Sequence, residues 1–173
     1  MSSLSKSISS TSNRQVFTVS VWVKRTFFGS TGNIMGVGTA SSDSGKFGIG
    51  FNSNDELYVE TGATTYRNTA RRYTDSTGWY HIVVAFKSTD STAADRLKIY
   101  TNGVLEADYS ASSDVSLNQN TAVNESGKTQ YIGLDGGANN SFKGYMAHFH
   151  FCDGNQYAAS NFGQTDSTTQ SWI

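Results

Sequence analysis

The sequence predicts an all-β protein in which two antiparallel sheets pack face to face as a sandwich. Short segments with a two-residue hydrophobic period recur at a spacing of about 8–12 residues, and helical periodicity is almost absent. Aromatic residues make up 13% of the chain and charged residues only 16%, so the buried residues are bulky and favour strands. The 173 residues are enough for one domain with one core. We therefore expect a single domain over residues 1–173.

Three segments carry the clearest local signals. Residues 15–24 (QVFTVSVWVK) alternate as a strand with one strongly buried face does. Residues 78–87 (GWYHIVVAFK) are largely apolar on both faces, which predicts a central strand. Residues 96–109 predict a hairpin, because Asn102 and Gly103 suit the two positive φ angles of a type I′ turn. Further strands are predicted at residues 33–40, 46–52, 55–61, 64–68, 70–74, 129–135 and 141–154.

The rest of the chain is predicted to be loops and turns. Residues 41–45 (SSDSG) form a polar turn, and residues 110–128 form a polar surface loop or a partner-contacting arm. Residues 157–163 allow one helical turn. The pattern as a whole is that of a jelly-roll sandwich.

Composition argues against several classes of partner. The formal net charge is −1, so no basic footprint indicates nucleic acid or an anionic membrane. No stretch reaches the roughly 18 apolar residues that a membrane-spanning helix needs, and the polar start of the chain is unlike a signal peptide. Cys152 is the single cysteine, which rules out an intrachain disulfide.

Four segments, in this order, resemble laminin G-like domains of the concanavalin A-like lectin/glucanase superfamily: residues 17–25, 78–86, 96–105 and 131–154. The ending, residues 153–173, is similar to that of such domains in structural proteins of tailed bacteriophages, especially marine ones. The resemblance extends from about Leu4 to Trp172. The chain departs from the family at His148, where an acidic residue is frequent, and relatives often carry a further strand before the position of Leu4. The resemblance implies a concanavalin A-like jelly roll and a virion protein.

Catalysis is not expected. The β-glucanases of the superfamily use two glutamates four residues apart with an aspartate between them, because residues i and i+4 of a strand share one face. Glu56 and Glu60 have this spacing, but Tyr58 replaces the aspartate, and both glutamates are predicted on a solvated face. No GxSxG motif or phosphate-binding loop is present. A β-glucan hydrolase is the remote alternative.

Histidines and one polar loop are the candidate ligand groups. His81, His148 and His150 offer imidazoles to a metal, but their sequence contexts form no metal motif, so packed and hydrogen-bonded histidines are the favoured interpretation. The loop with Asp135, Asn139 and Asn140 offers oxygens to Ca²⁺ or to sugar hydroxyls. Ordinary turn chemistry selects the same residues. Ca²⁺ is the one candidate cofactor, and none is required.

An aromatic and basic cluster is the candidate partner surface. Tyr66, Arg67, Arg71, Arg72 and Tyr73 lie on neighbouring short strands, and Tyr and Arg are enriched at protein interfaces. Tyrosines also stack on sugar rings. The alternative is a solvated sheet face that forms local ion pairs.

Together these observations predict a non-catalytic structural protein of a bacteriophage virion, a capsid decoration or tail appendage with a lectin-like surface. The expected partners are other virion proteins, host surface glycans and further copies of the chain in a homo-oligomer. The alternative is a carbohydrate-binding or adhesion module of a larger secreted protein.

Overall fold

The computed structural model describes residues 3–39, 42, 44–62 and 64–173. Two antiparallel sheets of seven and five strands confirm the predicted sandwich. The strands are β1 (Leu4–Ser7), β2 (Val16–Arg25), β3 (Gly32–Val37), β4 (Phe47–Phe51), β5 (Glu56–Thr61), β6 (Thr64–Arg72), β7 (Tyr80–Lys87), β8 (Leu97–Thr101), β9 (Val104–Leu105), β10 (Tyr109–Ser112), β11 (Thr129–Ile132) and β12 (Gly144–Asp153). Short 3-10 helices cover Ala93–Asp95 and Ala159–Asn161. No helix in this described part has the length and apolarity to cross a membrane.

The two sheets mix strands from distant parts of the chain. The seven-stranded sheet has the order β1-β11-β3-β4-β5-β6-β10, and the five-stranded sheet has the order β12-β2-β7-β8-β9. As predicted, β7 is central, since it pairs with β2 on one side and β8 on the other. The pairing of β12 with β2 is interrupted by a bulge between Ala147 and His150, where His148 has φ of 49°.

Aromatic rings join the two sheets in the core. Phe17 of β2 is fully buried, stacks on Phe86 of β7 at 5.0 Å and meets Phe47 of β4 edge-on at 5.2 Å. These are favoured geometries for aromatic pairs. The alternation read from residues 15–24 thus places Phe17 at the centre of the sandwich.

A buried ion pair also connects the sheets. Arg25 ends β2 and is 2% exposed; its Nη2 atom lies 2.8 Å from Oδ1 of Asp55 in the β4–β5 turn. Its Nη1 atom donates to the Tyr73 carbonyl at 2.7 Å, and the guanidinium lies over the Phe51 ring. A buried charge is tolerated because the guanidinium has a carboxylate, a carbonyl oxygen and an aromatic ring as partners.

The predicted hairpin turn is confirmed, whereas one segment predicted to be a surface loop packs partly into the core. Asn102 and Gly103 have φ of 48° and 81°, the positive angles that the predicted hairpin requires. Residues 110–128 are not only a surface excursion, because Val115, Ala122 and Val123 are buried in the core. These apolar side chains pack against the sandwich and hold the segment in place. The segment is polar on average, so its composition did not predict this contact.

The predicted strand 33–40 and the predicted turn 41–45 lie in part outside the described residues, at positions 40, 41 and 43. Strand β1 has no counterpart in the sequence predictions, because all four of its residues are exposed and no apolar alternation marks it.

Candidate functional site

A polar cavity of about 300 Å³ lies on the outer face of the seven-stranded sheet. We call it the amide cavity. Strands β3 to β6 and the loop after β11 supply its lining, which includes Asn33, Lys46, Tyr58, Glu60, Thr65, Asn68, Asp135 and Asn140. A second cavity lies on the other sheet.

Glycines on β4 make room for the amide cavity. Phe47, Ile49 and Phe51 face the core, so Gly48 and Gly50 face outward by the alternation of a strand. A Cβ atom on Gly50 would lie 2.6 Å from the Gly32 carbonyl oxygen and 3.1 Å from the Tyr58 hydroxyl. Only glycine leaves this space open.

The polar side chains of the amide cavity hold one another in place. The Tyr58 hydroxyl donates to Oδ1 of Asn33 at 2.6 Å, and Lys46 pairs with Glu60 at 2.7 Å. Burial, assisted by the charge of Glu60, raises the pKa of Tyr58 well above its usual range, so the phenol stays protonated and remains a donor. These contacts orient the side chains without any ligand present.

Asn68 supplies an unmet hydrogen-bond acceptor. It lies on β6 directly opposite Tyr58, and its Oδ1 atom is buried without a hydrogen-bond partner among the described residues. A buried polar atom without a partner carries a desolvation cost. A donor placed in the amide cavity, such as a sugar hydroxyl, would remove that cost.

The loop after β11 is held together by hydrogen bonds from its own backbone and side chains to Asp135. Asp135 Oδ1 accepts from the backbone N–H groups of Gly137 and Asn139 at 2.9 and 2.7 Å, and Oδ2 accepts from Nδ2 of Asn140 at 2.7 Å. Asp135 and Asn140 nevertheless line the amide cavity, whereas Asn139 does not.

The hydrogen bonds of Asp135 also bear on metal binding by this loop. Donors of the loop itself occupy the carboxylate of Asp135, and the described residues contain no group of three His, Cys, Asp or Glu side chains that could hold an ion. In this arrangement both carboxylate oxygens of Asp135 accept hydrogen bonds from the loop itself.

The predicted aromatic and basic surface needs correction for its tyrosines. Tyr66 and Tyr73 belong to the hydrophobic core, and the Tyr73 hydroxyl lies 2.7 Å from the Thr101 hydroxyl. They cannot stack on a sugar ring or face a partner. Two apolar rings gain more free energy inside the sandwich than on its surface.

The arginines of this cluster divide between the interior and the surface. Arg67 is 5% exposed; it donates to the Ser113 carbonyl and lies over the Tyr109 ring. Arg71 and Arg72 are exposed, and Arg71 pairs with Glu106 at 2.9 Å. The five residues therefore do not form one surface.

The two glutamates of β5 also differ from expectation. Glu56 is buried, not solvated, because it closes the β4–β5 turn by accepting from Nδ2 of Asn52 at 2.9 Å. Glu60 lines the amide cavity and Glu56 does not. The pair does not flank a common cleft, as two catalytic carboxylates must.

The second cavity, of about 210 Å³, lies on the outer face of the five-stranded sheet. We call it the histidine pocket. Its lining consists of Ser20, Trp22, His81, His148, His150 and Phe162.

His81 is the buried member of the histidine pocket. Its Nδ1 atom accepts from the Trp172 indole N–H at 2.8 Å, and its Nε2 atom lies 2.9 Å from the Ser20 hydroxyl. Burial, and to a lesser degree the nearby His150, lowers the pKa of His81 to about 4. This is the packed, hydrogen-bonded histidine that the sequence favoured, whereas His148 and His150 are exposed.

The largest cavity described, of about 660 Å³, opens between β1, β11 and β12 at one edge of the sandwich. Half-buried Phe149 and Phe151 and the serines of residues 5–12 contribute to its lining. None of the unpaired buried polar side-chain atoms among the described residues lines it. We therefore regard the amide cavity, although smaller, as the better candidate site.

Sequence reasoning missed most of the amide cavity. It identified Asp135 and Asn140 but not Asn33, Tyr58 or Asn68. The one available signal was the pair Gly48 and Gly50 at alternate positions of a strand, which marks a surface that something approaches closely.

Comparisons with solved structures show the same fold. Domain 4 of AbnA, an extracellular arabinanase of family GH43 from Geobacillus stearothermophilus in complex with arabinotriose, is 19% identical with a TM-score of 0.52, covering 86% of this chain and 64% of that one. Trypanosoma rangeli sialidase is 17% identical with a TM-score of 0.56, covering 85% of this chain and 22% of that one. The chain thus spans less than two thirds of the length of either structure, and identities this low establish the fold alone.

A comparison with curated protein sequences finds no match. A family model, in contrast, matches residues 3–160, and it is the laminin G-like model of the concanavalin A-like lectin/glucanases superfamily. That match covers most of the sandwich, from β1 to the last 3-10 helix, and agrees with the resemblance seen in the four sequence segments. The chain therefore belongs to the concanavalin A-like lectin/glucanases superfamily.

Proposed function

We propose that this protein is a carbohydrate-binding module that holds neutral sugars in the amide cavity without cleaving them. The observation that carries the proposal is the buried, unpartnered Oδ1 atom of Asn68 in an open cavity lined by polar side chains. Sugar hydroxyls supply the donors that such an acceptor lacks.

The chemistry of the amide cavity suits hydroxyl groups in both of their roles. A hydroxyl donates one hydrogen bond and accepts others. Asn68 and Glu60 offer acceptors, while Lys46 and Thr65 offer donors. Because the Tyr58–Asn33 and Lys46–Glu60 contacts already fix the lining, little side-chain entropy is lost on binding.

Structural relatives support the class of ligand. The domain of the arabinanase is in complex with arabinotriose, and that oligosaccharide is uncharged. The placement of Glu56 outside the amide cavity supports binding without hydrolysis.

The virion setting is a finer proposal, which depends on the sequence resemblance alone. In that setting the module decorates a capsid or a tail appendage, with other virion proteins and host glycans as partners. Finding the chain at a fixed copy number on purified particles would support this setting, and its absence from particles would contradict it.

The test of sugar binding is calorimetric titration with a panel of neutral oligosaccharides that includes arabinotriose. We expect at least one to bind, and Asn68→Ala to weaken that binding by about tenfold or more, as the loss of one buried hydrogen bond predicts. Asn161→Ala is the matched control, because Asn161 is exposed and does not line the amide cavity. Absence of binding across the panel, equal affinity of Asn68→Ala and wild type, or hydrolysis of the sugars would each overturn the proposal.

A further inference from the structure

The histidine pocket has a chemistry opposite to that of the amide cavity. Two carboxylates, Glu60 and Asp135, and one ammonium group, Lys46, line the amide cavity, which leaves it with a net negative charge, whereas the lining of the histidine pocket contains three histidines and no acidic residue. A negatively charged ligand is therefore repelled at the first site and tolerated or attracted at the second.

The hydrogen bonds of His81 determine the state of the Ser20 hydroxyl. An indole N–H can only donate, so Nδ1 of His81 must be the acceptor of the Trp172 bond. The proton of the neutral imidazole then lies on Nε2, which donates to Ser20 Oγ at 2.9 Å. The Ser20 hydroxyl hydrogen therefore cannot point toward His81 and is available to another acceptor.

Ser20 is thus a donor at the base of the histidine pocket. It is 1% exposed, lines the pocket, and its hydroxyl hydrogen has no acceptor among the contacts of the described residues. A buried hydroxyl gains free energy from an acceptor. A ligand oxygen in the pocket would therefore be stabilised by a hydrogen bond from the Ser20 hydroxyl.

Aromatic rings form the walls above Ser20. Trp22 stacks on His81 at 4.9 Å, and Phe162 lies beside His150 at 6.1 Å. Such walls pack against the apolar face of a ring. A volume of about 210 Å³ is below that of sites for drug-sized ligands and suits a single ring.

We propose that the histidine pocket is a second binding site, which takes a sugar ring that bears a carboxylate, as a uronate does. The ring packs against Trp22 and Phe162. The carboxylate accepts from the Ser20 hydroxyl and from the exposed imidazoles of His148 and His150. Trp172 is a positioning residue, because its bond to His81 sets the tautomer that leaves Ser20 free to donate.

The test compares two probes that differ only in the carboxylate, methyl glucuronoside and methyl glucoside. Titration is followed by the indole N–H resonances of Trp22 and Trp172 in nitrogen-15 NMR spectra. We expect the glucuronoside to shift both resonances with saturation, and the glucoside at equal concentration to shift them about tenfold less.

Variants separate the proposed contacts from the fold. Ser20→Ala and His150→Ala should each weaken glucuronoside binding by about tenfold; His150 is exposed, so its replacement leaves the core intact. Tyr145→Ala is the control, because Tyr145 lies on the same strand, is 62% exposed and does not line the pocket. Equal shifts with both probes, no shift of the indole resonances, or wild-type affinity in both variants would overturn the proposal.

Discussion

Acidification between pH 7 and pH 4 is predicted to destabilise the fold through His81. This imidazole is 1% exposed and accepts the Trp172 indole N–H through Nδ1. Burial lowers its pKa to about 4, whereas an unfolded chain gives histidine its ordinary pKa of about 6.5. Protonation of Nδ1 removes the acceptor that holds Trp172.

The sign and the size of this pH effect follow from proton binding by His81 in the folded and unfolded states. Above pH 6.5 both states hold neutral His81, which then makes no contribution to the pH dependence. As the pH falls from 6.5 toward 4, only the unfolded state takes up the proton, so the free energy of unfolding decreases. One pKa unit corresponds to about 1.4 kcal/mol, so the loss from His81 reaches about 3 kcal/mol near pH 4 and levels off below that pH.

The assay is urea denaturation at pH 7, 6, 5 and 4 for wild type and His81→Gln, which cannot titrate. The difference between the two free energies of unfolding should change by about 3 kcal/mol over this range. Other groups cancel in the difference. Asp75, Asp90 and Asp166 have pKa values lowered mainly by hydrogen bonds from nearby threonines, so the stability they contribute is lost at lower pH, as each takes up its proton.

A difference that stays constant within about 1 kcal/mol from pH 7 to pH 4 would refute this reasoning, because one pKa unit is worth that much. It would mean that His81 takes up its proton equally well in both states. The Trp172 bond would then not depend on a neutral imidazole.

Three substitutions test the packing. Phe17→Ala should lower the free energy of unfolding by about 3–5 kcal/mol, since the ring is fully buried; a loss below about 2 kcal/mol in urea denaturation would contradict its central place. Asp55→Ala should cost about 3 kcal/mol or more, because it leaves Arg25 buried without its carboxylate, and a neutral result in the same assay would show that the pair is dispensable. Gly103→Ala should release the carboxyl-terminal tail, because its Cβ would lie 2.3 Å from the Trp172 ring. Faster tail cleavage in limited proteolysis supports that expectation, and unchanged cleavage opposes it.

The sequence by itself determined the fold class and several local features. Residues 15–24 alternate with one strongly apolar face, and residues 78–87 are largely apolar on both faces, so β2 and β7 follow directly from the sequence. Asn102 and Gly103 suited the turn between β8 and β9 because positive φ is a local property of these residues. Membership of the family was also visible in the order of four segments, and the matching family model confirms it.

Only the tertiary structure decided which polar and aromatic residues meet. A two-residue period tells which side chains share a face, but bulges such as those in the β5–β6 pair change the register, and the sheet then decides which face is inward. For this reason Tyr66 and Tyr73 are in the core and not on a binding surface. Hydrogen bonds at the amide cavity and at His81 join residues that are 107 and 91 positions apart in the chain, and contacts over such separations depend on the packing of the whole sandwich.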